Sequence, residues 1–85
     1  MPEIAFSPHA RAQLTERRLT EEAAIAAIQQ PDDLISSRER KVAQKLVEQQ
    51  GKSYLIRVVY EETTSGIIVI TVYRTSKIAK YRRLQ

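Results

Sequence analysis

Three side chains in this 85-residue chain have the types that acid–base chemistry on a charged substrate needs: His9, Arg57 and Tyr73. His9 is the one histidine, and an imidazole titrates near neutrality; a phenol such as Tyr73 does so only where adjacent cations lower its pKa. A guanidinium such as Arg57 stabilises developing negative charge on a phosphate. With a single histidine and no cysteine, a two-histidine ribonuclease and a thiolate or histidine zinc site are both excluded. Asp32-Asp33 and Glu61-Glu62 read as turn and strand-end solvation rather than a magnesium site. Neither a metal nor a cofactor is expected. Any phosphodiester cleavage would then use the RNA's own 2′-hydroxyl as nucleophile, with side chains moving protons and cations steadying charge. The plain alternative for His9 is a structural or idle residue on a helix surface.

The charge distribution favours an anionic partner. Net charge is +4 and the isoelectric point is near 9.7. Residues 1–37 hold three basic and six acidic side chains, whereas residues 38–85 hold eleven basic and four acidic ones. Five of those eleven, Arg74, Lys77, Lys80, Arg82 and Arg83, fall within ten residues. So lopsided a field suits a nucleic acid first, an acidic protein second, or else only a solvated surface. Hydrophobic residues at 42% and charged residues at 28% place the chain among globular domains rather than disordered ones. At this length there is one domain, and it buries only roughly 60–65% of its unfolded surface. The absence of cysteine, of a signal-like apolar stretch and of a membrane-length run predicts a cytoplasmic protein.

The elements that must position these residues follow from capping and alternation. Ser7-Pro8 opens a helix that runs to Arg17 or Arg18, and Thr20, followed by Glu21 and Glu22, caps a second that Pro31 stops. Leu34–Ser36 suits a short edge strand. Segments 40–48, 53–62 and 67–75, rich in Val, Ile, Tyr and Thr, read as strands joined at Gln50-Gly51 and at 63–66. Segment 77–84 fits either a strand or a short helix. The expected fold is α+β: a helical hairpin packed on one face of a three- to four-stranded antiparallel sheet.

Strand parity sorts the faces. Tyr54, Ile56, Val58 and Tyr60 share one, and Leu55, Arg57 and Val59 the other. In the next strand Ile68, Ile70 and Val72 belong with the core, leaving Val69, Thr71, Tyr73 and Thr75 opposite. Placing Val42 and Leu46 in the core sends Lys41 and Lys45 out beside Arg57. The predicted surface therefore carries Lys41, Lys45, Arg57, Tyr73 and Thr75, with the basic tail nearby, a mixture of cations and rings that suits RNA. This parity calls for an odd-length loop, of about three or five residues, between the last two strands.

Read together, Ser7-Pro8-His9-Ala10, Arg17 through Glu22, Pro31-Asp32, Leu55 through Tyr60 and Ile70 through Thr75 resemble a small bacterial domain family of unknown function. The resemblance spans nearly the whole chain. That family is grouped with the RelE/ParE-like toxins, in the wider set of barnase, EndoU and colicin ribonucleases. The resemblance implies a metal-independent endoribonuclease, often paired with a small antitoxin. The leading hypothesis is then an RNA-cleaving toxin in which Arg57 holds the scissile phosphate, His9 and Tyr73 exchange protons, and Lys41, Lys77 and the tail grip flanking phosphates. Arg17, Thr75 and, more loosely, Lys77 and Tyr81 match the family's positions. Lys41, Lys45 and Tyr81 could fill the lysine and C-terminal tyrosine roles of RelE-type enzymes, and Arg82 would grip flanking phosphate. Implied partners are RNA, on the ribosome or free, and a small cognate antitoxin, with a homodimer also among the expectations. Arg18 departs from the pattern, standing where glycine is common. The alternative function is a non-catalytic module: a ParE-like topoisomerase inhibitor or an RNA-binding accessory protein. His9 within reach of Arg57 or Tyr73 would favour the enzyme, and His9 beyond the sheet the binder.

Overall fold

A computed structural model of the chain describes residues 3–81. The elements are β1 (Glu3–Phe6), α1 (Pro8–Glu16), α2 (Glu21–Gln29), β2 (Asp33–Ser36), β3 (Lys41–Gln49), β4 (Lys52–Glu62), β5 (Gly66–Thr75) and α3 (Ile78–Tyr81). The strands form one five-stranded sheet in the order β1-β5-β4-β3-β2. β1 runs parallel to β5, and the other pairs are antiparallel. The sheet is thus mixed and five-stranded, which corrects the expected three- to four-stranded antiparallel one.

The strand that sequence reasoning missed, β1, has only four residues, and its partner lies some sixty positions away, so no turn announces the pairing. Gly66 makes it sterically feasible. It sits opposite Glu3, and a Cβ at Gly66 would stand 2.1 Å from the Glu3 carbonyl oxygen. Phe6 then enters the core beside Val69, and Ile4 packs against it.

Both long helices are capped as their sequences require. Ser7 Oγ accepts from the Ala10 amide at 3.1 Å with Pro8 in the first turn, and Thr20 Oγ1 accepts from Ala23 at 3.0 Å. α1 ends in a Schellman motif: the Leu19 amide reaches the Leu14 carbonyl at 2.8 Å, the Arg18 amide reaches Thr15, and Leu19 and Leu14 are both buried. Arg18 takes the left-handed position, with φ of 56°. On the sheet side, Ala10 of α1 and Ala24 and Ala27 of α2 are fully buried against Ala43, Ile56, Val58, Val69 and Val72. The small helix side chains let the backbones approach closely, and this single-sided layer is the main core.

Two registers decide which residues face it. The turn Gln50-Gly51, with positive φ at both residues (53° and 76°), closes a two-residue hairpin that pairs Gln49 with Lys52. Its register sets Gln44 opposite Arg57, Lys45 opposite Ile56 and Lys41 opposite Tyr60. The expected faces of β3 are therefore reversed: Val42 and Leu46 share the surface of Arg57, and Lys41 and Lys45 lie on the helix side. The second hairpin also closes on two residues, since Thr63 and Gly66 exchange backbone hydrogen bonds around Thr64-Ser65. The odd loop expected there is absent. A β-bulge at Ile70 makes the parity change instead, shifting the register between Val59 and Tyr60 so that Arg57 meets Tyr73. The bulge also exchanges core positions: Val69 is fully buried, and Ile68, expected inside, is 38% exposed on the opposite face. Two α1-side groups attend to the bulged backbone. Ser7 Oγ donates to the Ile70 carbonyl at 3.2 Å, and the Val72 amide donates to Gln13 Oε1 at 2.9 Å.

Candidate nucleic-acid interface

The sheet face turned away from α1 and α2 is laid out in cross-strand rows. Asp33, Gln44, Arg57 and Tyr73 form the central one. Ile35, Val42, Val59 and Thr71 form the row on one side, and Leu46, Leu55 and Thr75 the row on the other. Segment 77–84, left open between strand and helix, contains α3, a single turn across this face. Thr75 Oγ1 accepts the Lys77 amide at 3.0 Å and so starts that turn. Leu55 is fully buried yet outside the main core cluster, which marks a second, smaller apolar contact on this side.

Arg57 is the centre of the row. Its Nη1 donates to the Tyr73 hydroxyl. Its guanidinium carbon lies 4.3 Å from the centre of the Tyr81 ring and 5.4 Å from that of Tyr73. The two rings meet edge-on, at 69° with centroids 6.3 Å apart. None of the ion pairs among the described residues includes Arg57. Beside it Gln44 is only 1% exposed, and its Nε2 donates to the Tyr81 carbonyl at 3.4 Å. Gln44 Oε1 and Arg57 Nε are both buried without a hydrogen-bond partner among the described residues. An acceptor and a donor left unmatched on adjacent strands are costly unless a ligand or solvent meets them.

Burial pushes the Tyr73 phenol above its ordinary value; the Arg57 charge pulls it down, and Tyr81 adds to the rise. The upward pull prevails, so Tyr73 is a neutral phenol at physiological pH and no ready base. His9 is exposed on α1, in the layer that covers the other side of the sheet, while Arg57 and Tyr73 share the opposite face. The structure brings Arg57, Tyr73, Thr75 and Tyr81 together and separates His9 from them.

The remaining expected contacts divide. Lys77 is exposed next to the site. Arg17 is exposed at the end of α1, on the helical side. Lys41 pairs with Glu62 at 2.6 Å, and that hydrogen bond raises its pKa. Lys45 donates to the Gln30 carbonyl at 3.1 Å, beyond the last turn of α2. Neither lysine belongs to the Arg57 face, because the Gln50-Gly51 turn fixes the parity of β3. Arg82 lies outside the described residues. Gln44 is the member that sequence reasoning missed; the signal was the two-residue turn, which alone determines that Gln44 lies opposite Arg57.

No helix among the described residues is long and apolar enough to cross a membrane. No curated protein and no solved structure matches the chain. Residues 6–74 match the family model described as "Domain of unknown function (DUF4258)", a span from Phe6 at the end of β1 to Arg74 near the end of β5. The chain therefore belongs to the DUF4258 family.

Proposed function

We propose that this protein is an RNA-binding module whose recognition centre is Arg57 between Tyr73 and Tyr81. One observation carries the reading: a half-buried guanidinium that packs on the Tyr81 ring and hydrogen-bonds the Tyr73 hydroxyl, with no carboxylate partner among the described residues. A cation so placed attracts a phosphate, and rings beside it offer bases a surface for stacking. Lys77 and Lys80 add positive charge beside it, and the basic half of the chain supplies long-range attraction.

The toxin reading, metal-independent RNA cleavage held in check by an antitoxin, has one feature in its favour. A guanidinium in contact with a phenol pairs a charge stabiliser with a proton donor. Against it, His9 stands on the other layer and burial raises the Tyr73 phenol. Incubating the purified protein with labelled RNA in EDTA separates the two. The module binds RNA and leaves it intact, and Arg57→Ala loses the binding. Cleavage that persists with chelator and disappears in Arg57→Ala would replace this proposal with the enzyme.

A further inference from the structure

A cationic concavity lies on the helix side of the sheet, away from the Arg57 face. It has a volume of about 410 Å³ and is lined by Arg18, Gln49, Gln50, Tyr54 and Arg74. Tyr54 and Arg74 reach it from the core-facing parity of β4 and β5, beyond the cover of α1 and α2. No carboxylate among the described residues lines it.

Its geometry is organised around Arg74. Nη1 donates to Gln49 Oε1 at 2.7 Å, and the guanidinium carbon lies 4.7 Å from the Tyr54 ring centre. Lys52 Nζ is 5.8 Å from the same ring. One edge of the fork is thus held by an amide and one face by a ring, which leaves further N–H donors for a ligand. Arg18, Lys52 and Arg74 are absent from the ion pairs among the described residues.

The backbone adds an independent sign. The two non-glycine residues with positive φ among the described residues are Arg18 (56°) and Gln50 (53°), and both line this concavity. Glycine or asparagine would hold either position at lower cost. Strained residues that converge on one depression suggest side chains retained for what they contact. At Arg18, the helix-terminating position usually given to glycine aims a third cation into the same space.

We infer that this concavity binds a phosphate group, with Arg18 and Arg74 contacting its oxygens and Lys52 adding charge. A pre-oriented guanidinium with free N–H donors suits phosphate oxygens, and two arginines in the lining favour an anion over a cation. The inference does not rest on the Arg57 reading, because Arg74 and Arg57 point to opposite faces of the sheet.

Nuclear magnetic resonance titration of the ¹⁵N-labelled protein with inorganic phosphate, and in parallel with a short single-stranded oligonucleotide, tests it. The amides of Arg18, Gln49 and Gln50 should shift with either probe if the ligand is a free phosphate or a polynucleotide alike, and with the oligonucleotide alone if a polymer is required. Arg18→Gly and Arg74→Gln should each weaken the response about tenfold, whereas Arg38→Gln, in the exposed connection between β2 and β3, leaves it unchanged. Arg18→Gly is safe for folding, and it should raise the melting temperature while lowering affinity. Unmoved amides with both probes, an Arg18→Gly variant that binds like the parent, or tighter binding of an oligoglutamate peptide at these amides would each overturn the inference.

Discussion

At the scale of single residues, the Arg57 cluster is held by contacts whose loss has distinct signatures. The Tyr73 phenol is raised above its ordinary value near 10, mainly by burial. A phenol that binds its proton more tightly when folded stabilises the native state below its unfolded pKa, and that contribution fades as pH rises towards the folded value. Tyr60, also raised mainly by burial, acts in the same direction. The melting temperature should therefore fall above about pH 10, and the fall should be shallower in Tyr73→Phe; identical alkaline limbs would remove burial as the cause. Gln44→Leu removes a buried acceptor left unmatched among the described residues, at the cost of one long bond to the Tyr81 carbonyl. Denaturant unfolding should show a change within about 1 kcal/mol in either direction, while RNA binding weakens. A large loss of stability would make Gln44 a structural residue.

At the scale of elements, the docking of β1 depends on a glycine that reads at first as turn punctuation. Gly66→Ala places a Cβ against the Glu3 backbone, and backbone yields less readily than a side-chain end. The expected loss is about 2 kcal/mol or more in chemical denaturation, accompanied by faster hydrogen exchange in β1. Leu55→Ala probes the fully buried position that lies outside the main core and should cost about 2–3 kcal/mol in chemical denaturation. How much was legible in the sequence also becomes clear at this scale. Local signals were readable: Ser7 and Thr20 as caps, Pro31 as a stop, Gln50-Gly51 as a turn, and strand limits correct to within a residue or so. What escaped were features set by non-local geometry. β1 pairs across nearly the whole chain, and the bulge at Ile70 is a property of sheet packing rather than of Ile70 itself. The misplacement of Lys41 and Lys45 was avoidable, because a two-residue turn at Gln50-Gly51 already fixes the parity of β3. Arg57 and Tyr73 were nevertheless assigned to one face, although the bulge rather than the loop produces that face.

At the scale of the whole molecule, α1 and α2 cover one side of the sheet, and among the described residues the other side carries one helical turn. The covered side owes its packing to alanines, valines and Ile56, and carries the phosphate concavity at its margin. The thinly covered side presents Arg57 with its two rings. The concentration of basic residues after residue 38 gives this arrangement a long-range field. RNA affinity should consequently fall linearly on a log–log plot against salt, and Arg57→Gln should reduce the slope by about 1. A slope unaffected by that substitution would assign the phosphate contacts to other cations. The most direct test follows the Arg57 Nε–H resonance as RNA is added. It should shift in step with the Tyr73 and Tyr81 ring signals, since that N–H has no partner among the described residues. An Arg57 resonance that stays fixed while RNA demonstrably binds would contradict it.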